Sequence, residues 1–190
     1  VKQGGEKRKI NAQVIVHVNG SGMKQFFQEN YDIDLPMRFW KSHLTVTQRL
    51  ANANIYVLDP GEVDLMAHGG YNIIGAKDSV LVDQPDYEIV PLEAEKVNTA
   101  LRTLFRGSED AEKLSVACIK VDMAPQEGAA RSLDATISEP LKNNFTVIPG
   151  KMTEAPYVTD LATQIIYQRL SRRGDIAQRP VDVFANSHTS

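Results

Sequence analysis

The chain has 190 residues, 42% of them hydrophobic and 24% charged, with a net charge of −3. This is the composition of a globular protein long enough for one large core or two small ones. It excludes a global positive field that would draw nucleic acid or an anionic membrane, and no apolar run nears the ~20 residues of a bilayer-spanning helix.

The first residues, Val1-Lys-Gln-Gly-Gly-Glu-Lys-Arg-Lys9, are polar and basic and are read as a flexible arm over 1–9. With neither an initiating methionine nor a signal-peptide pattern, the chain is expected to be a processed or excised form. Ile10–Val18 is rich in β-branched residues and predicts a central strand, stopped by the turn Asn19-Gly20-Ser21-Gly22. A short helix is expected over 23–30. Asp34 and Pro36 read as the cap and start of a helix over 36–52, with Met37, Trp40, Leu44, Thr47 and Leu50 at helical spacing. Asn54–Leu58 is the next expected strand.

Residues 59–95 hold nine acidic residues against one lysine, Lys77, and read as a solvated face with short strands at Tyr71–Ile74, Val80–Val82 and Tyr87–Val90. Pro91 opens a helix to about Arg106, with Glu93 and Glu95 early and Arg102 late, and Gly107 ends it. Leu114–Val121 is a strand, 128–138 a helix and Phe145–Ile148 a strand. Thr153 caps a last helix with an apolar stripe through Val158, Leu161, Ala162, Ile165 and Ile166. From 175 to 190 an extended tail carries Val181, Val183 and Phe184, an edge-strand candidate for contact with this or another molecule.

A phrase recurs: Leu50–Val63 aligns with Leu141–Met152 if two one-residue gaps are allowed. Each copy follows a helix-like stretch and a strand-like one. The expected fold class is therefore α/β (or α+β): two similar strand–helix–strand units forming a mixed sheet with helices packed on it. One globular domain over 10–174 is expected, with halves at 10–107 and 108–174.

Complete catalytic signatures are missing. Ser21-Gly-Met-Lys24 matches Ser-x-x-Lys, in which a lysine amine can take a serine proton, but the companion motifs are absent. Gly20, Ser21, Gly22 and Lys24 after a strand form a candidate anion-binding turn. They fall short of a P-loop and lack the third glycine of the dinucleotide fingerprint. His17, His43, His68 and His188 show no metal spacing, and Cys118, the single cysteine, reads as a buried thiol. No catalytic residue, metal or cofactor is assigned, and nucleic acid is not expected as a partner.

The segment 115–148, with Val116–Val121, Leu133, Ile137 and Asn143-Asn144-Phe145-Thr-Val147-Ile148, resembles a half-domain of bacterial envelope lipoproteins. These are the TolB amino-terminal domain, the penicillin-binding-protein activators and the curli-secretion lipoprotein. Residues 13–58 resemble the same unit, while Pro140 departs from it. The resemblance implies a non-enzymatic, lipoprotein-like structural or adaptor component of a cell-envelope or secretion-type assembly. Its partners would be other proteins or copies of itself, in the periplasm or at the outer membrane. Two alternatives stand beside it, a phage or viral structural protein and a small ligand-binding domain or Ser/Lys hydrolase using the Gly20–Lys24 turn. Cytoplasmic and virion locations go with those alternatives.

Overall fold

A computed structural model describes residues 2–3, 6–7, 11–58, 63–76, 78–123 and 131–171. In chain order the elements are β1 (Lys2–Gln3), β2 (Glu6–Lys7), β3 (Ile15–His17), α1 (Gly22–Tyr31), β4 (Met37–Gln48), β5 (Val63–His68), β6 (Tyr71–Ala76) and β7 (Val80–Val82). There follow α2 (Pro91–Leu104), β8 (Lys113–Met123), β9 (Thr136–Leu141), β10 (Asn144–Ile148), a 3₁₀ turn (Met152–Glu154) and α3 (Ala155–Ser171). The protein is thus a mixed α/β fold, and its chain divides into two compact units, Val18–Asp134 and Val1–His17 with Ala135–Ser190.

The Val18–Asp134 unit is built on β4. β8 runs antiparallel along one edge of it, from Met37↔Met123 to Thr47↔Lys113. The other edge is shared by β6, at Leu44–Gln48, and β7, at Phe39–Lys41. β5 extends the sheet beyond β6. Side chains alternate between faces along a strand. Phe39, Lys41, His43, Thr45 and Thr47 therefore point one way, while Arg38, Trp40, Ser42, Leu44 and Val46 point the other. Helix α2 covers the first face, where Thr45 Oγ1 donates to Asn98 Oδ1 at 2.9 Å. Val97 and Leu101 of α2 pack on Val63, Leu65 and Ile74. Burying each such side chain contributes ~1.5–3 kcal/mol, so this layer is a principal source of the unit's stability. Asn72 is buried in the same sheet and satisfies backbone groups of the chain after β4, accepting from Leu50 and Ala51 and donating to the Ala51 carbonyl.

The other unit holds a three-stranded sheet with β10 in the middle, parallel to β3 and antiparallel to β9. Asn143 closes the β9–β10 hairpin at φ +63°, a left-handed conformation that asparagine adopts more readily than most residues. Arg169 of α3 bonds Glu139 of β9 and lies over the Phe145 ring, which fixes the last helix on its sheet. β1 and β2 form a short antiparallel ladder of their own.

The helices at 23–30 and after Pro91 and Thr153 form close to where the sequence places them. The helix expected over 36–52 does not: those residues form β4. Polar Lys41, His43, Thr45 and Thr47 are buried on the face turned to α2, so the apolar residues do not mark the covered face and their spacing mimics a helical period, while Phe39, Trp40, Thr45, Val46 and Thr47 favour a strand. Likewise 131–135 has no helix, and β9 begins at Thr136. Ile55–Leu58 makes one bridge, Ile55↔Leu65, instead of a strand, and Tyr87–Val90 is extended chain leading into α2. Residues 50–58 of the first copy of the repeated phrase therefore form no strand, while the second copy holds strand β10. The strand at Ile15–His17 is bordered by a single neighbour among the described residues, not two. Val181, Val183 and Phe184 lie outside the described residues.

Candidate functional site

The turn singled out in the sequence is real as a turn. Gly20 takes φ +56°, Asn19 C=O accepts the Gly22 N–H, and Gly20 C=O accepts from Met23 to start α1. Ser21 and Lys24 have different partners: the Ser21 hydroxyl is 2.8 Å from that of Tyr87, and the Lys24 ammonium pairs with Asp34 at 3.2 Å.

Two other places in the Val18–Asp134 unit gather chemistry, and both are organised by β4. The first is the face of the sheet away from α2. Register places Trp40 opposite Lys120, Arg38 opposite Asp122 and Ser42 opposite Cys118. Arg38 and Asp122 form a bidentate pair, and the guanidinium stacks 5.3 Å from the Trp40 ring centre. Asp122 also accepts the Ser132 N–H at 2.7 Å. Burial pushes the Asp122 carboxyl up, but the bonds from Arg38 and Ser132 outweigh it and hold it below the usual carboxylate range. Lys120 is half-buried beside Trp40. Among the described residues its ammonium has no hydrogen-bond or ion-pair partner. Burial lowers its pKa, with Cys118 opposing and the Arg131 cation reinforcing the shift.

The second place is a cleft of about 280 Å³ on the α2 side, opening where β6 leaves β4 and β7 takes over. Lys41, His43, Asp78, Glu93 and Lys96 give it its charged and titratable lining. Lys41 and His43 are each 5% exposed. Lys41 reaches Asp86 at 2.5 Å, and His43 Nε2 accepts the Val90 N–H at 3.0 Å. The Lys41 hydrogen bond holds the Asp86 carboxyl below its ordinary value. Among the described residues, no cluster of three or more His, Cys, Asp or Glu could hold a metal ion.

The sequence pattern marked Trp40 and Glu93 only as helix positions, Cys118 only as a buried thiol and His43 only as lacking metal spacing; Arg38, Lys41, Asp86, Lys120 and Asp122 carried no signal as site residues. Lys120, Arg38 and Asp122 meet across strands 84 residues apart in sequence, and no local pattern announces that pairing.

No family model matches this chain, and no relative was found among curated proteins. Solved structures do match. An FAD-dependent oxidoreductase from Pseudomonas aeruginosa superposes with a TM-score of 0.62 at 17% identity, over 93% of this chain and 49% of that one. Iminodiacetate oxidase from Chelativorans sp. BNC1 gives 0.60 at 14% identity, over 93% and 47%. Glycine oxidase from Geobacillus kaustophilus gives 0.58 at 12% identity, over 94% and 46%. The fold is that of part of these oxidoreductases. This chain spans about half the length of each.

That likeness overturns the resemblance to envelope lipoproteins. The strand–loop–helix–strand pattern behind it needed helices at 36–52 and 128–138, and the structure has β4 in the first range and the start of β9 in the second. The envelope, secretion and lipoprotein reading falls with it, as does the structural-adaptor role it implied. No helix among the described residues is long and apolar enough to cross a membrane.

One of these neighbours is FAD-dependent by name, which raises the question whether the residues of this chain suit a dinucleotide. The pyrophosphate cradle needs Gly-x-Gly-x-x-Gly between a strand and a helix. After β3 this chain has Gly20 and Gly22, but Gln25 stands at the third position and bonds Glu29. Tyr87 and Asp34 occupy the Ser21 hydroxyl and the Lys24 ammonium. The turn does not fit that role.

Proposed function

We propose that this chain is the substrate-facing part of an FAD-dependent oxidoreductase that oxidises a small amino or imino acid. The observation that carries the reading is the fold likeness, which extends over 82% to 94% of the chain. Among the similar structures are glycine oxidase, iminodiacetate oxidase, L-proline dehydrogenase and L-amino acid deaminase. The substrates in those names share one feature, an amine nitrogen on the carbon next to a carboxylate.

A substrate of that class needs a cation for its carboxylate. The sheet face away from α2 supplies the cation. Lys120 offers an ammonium without a partner among the described residues, and Arg131 adds positive potential. Arg38 is already committed to Asp122, so it braces Trp40 and leaves the anion to Lys120.

The test is to purify the full-length protein and look for bound flavin by its visible absorbance. It is then offered glycine, N-methylglycine, proline and iminodiacetate with an electron acceptor. Turnover of at least one, with KM raised ~10–150-fold in Lys120→Met, supports the reading; that factor is the loss of one charge-assisted hydrogen bond. A full-length protein with no flavin and no turnover of any such amine sinks it.

A further inference from the structure

The protonation state of His43 is fixed by one backbone bond. The Val90 amide can only donate, so His43 Nε2, 3.0 Å away, presents its lone pair. The imidazole is therefore neutral, with its proton on Nδ1.

Val90 occupies a junction. Its carbonyl accepts the Ala94 N–H as the first bond of α2, and Pro91 follows it with no N–H of its own. Residues 83–90 form a strap between β7 and α2 that is tied back at three points. Tyr87 reaches Ser21, Asp86 reaches Lys41, and the Val90 amide reaches His43. The two inner ties come from alternate residues of β4, both in the cleft lining.

We propose that His43 is an acid-released latch: neutral, it holds the Val90 end of the strap 83–90 against β4, and protonated, it releases that end, while the Asp86 and Tyr87 ties stay. A protonated imidazole has two N–H groups and no lone pair, so Nε2–H would confront Val90 N–H. The other charged groups set the direction. Burial disfavours the cation most, and Lys41 on β4 adds to that; Glu93 of α2 and Asp86 of the strap favour the cation more weakly, and the His43 pKa is lowered. Asp78, before β7, and Lys96 of α2 complete the charged lining. With the latched form holding the lower pKa, falling pH favours release, beginning below the unperturbed value of about 6.5. This inference does not depend on the proposed oxidoreductase activity.

The test is amide hydrogen exchange on the full-length protein, corrected for the intrinsic pH dependence of exchange. Protection at Val90 is expected to fall between about pH 7.5 and about pH 5, by up to roughly thirtyfold, the ceiling set by the distance from the unperturbed imidazole value of about 6.5 down to about pH 5. The amides of Val97–Leu101 inside α2 should change less. In His43→Gln the side-chain oxygen can accept the same bond and does not titrate, so the loss should vanish. Equal protection at both pH values, or an equal loss in His43→Gln, overturns the proposal. If that variant does not fold, nitrogen NMR of the wild-type imidazole decides: the latch requires an unprotonated Nε2 and a Val90 amide that titrates with it. An Nε2–H tautomer, or two independent titrations, overturns it.

Discussion

Arg38 and Asp122 face each other across the β4–β8 register and share two hydrogen bonds, Nε to Oδ1 at 3.0 Å and Nη2 to Oδ2 at 2.6 Å. Asp122 is 2% exposed, so its charge has exchanged water for this guanidinium and the Ser132 amide. A buried pair of this kind is strongly destabilised by losing one member, because the other is left charged and unpaired. Arg38→Met is expected to cost ~3–5 kcal/mol, and Arg38→Met with Asp122→Leu much less than the two singles combined. Urea midpoints of the three variants check this.

The same carboxylate sets an acid limit. Its folded pKa is depressed below the unfolded value of about 3.9, so its contribution is complete above that pH and fades as pH falls through the folded pKa. Wild-type stability should drop below about pH 4 more steeply than that of Asp122→Asn, which carries no titrating group there. A parallel fall in both proteins contradicts the assignment.

Asn72 is fully buried, and one side chain serves the Leu50 and Ala51 amides and the Ala51 carbonyl. No apolar replacement can do this. Both Asn72→Ala and the near-isosteric Asn72→Leu are expected to cost ~2–4 kcal/mol, since each leaves buried backbone groups unsatisfied. A loss below ~1 kcal/mol for Asn72→Leu would show that the chain at 50–51 rearranges to find water. Thermal denaturation of the two variants separates these outcomes.

A Cβ added at Gly75 would sit 3.2 Å from Leu44 Cδ2, its neighbour across the β4–β6 register. Gly75→Val is expected to destabilise by ~1–3 kcal/mol through overpacking. In that background Leu44→Ala should cost less than it does alone, because it removes the atom that is struck. Additive costs in the double-mutant cycle would place the strain elsewhere.

Lys120 has a lowered pKa, mainly because it is buried. Carboxylate binding needs the ammonium, so affinity for the substrate class proposed above should weaken as pH rises, starting below the unperturbed lysine value of about 10.4. The KM–pH profile should lose this limb in Lys120→Arg, whose guanidinium stays charged.

Short-range chemistry was readable in the chain itself. Pro91 and the order of Glu93 before Arg102 marked α2, and Asn19–Gly22 marked the turn into α1. The apolar stripe from Val158 marked α3, and β-branched runs marked β8 and β10. These features depend on neighbours within a few residues, and so does the α/β class they add up to. What the tertiary structure decided was β4. The face of Met37–Gln48 turned to α2 buries Lys41, His43, Thr45 and Thr47, so polar residues occupy covered positions and a spacing that resembled a helix concealed a central strand. Every candidate site hangs on that strand: Lys120 and Asp122 come to Trp40 and Arg38 from β8, and Asp86 and Val90 come to Lys41 and His43 from the strap. Those partners lie between 45 and 84 residues apart in sequence. Only strand pairing, which depends on contacts among distant residues, brings them within reach.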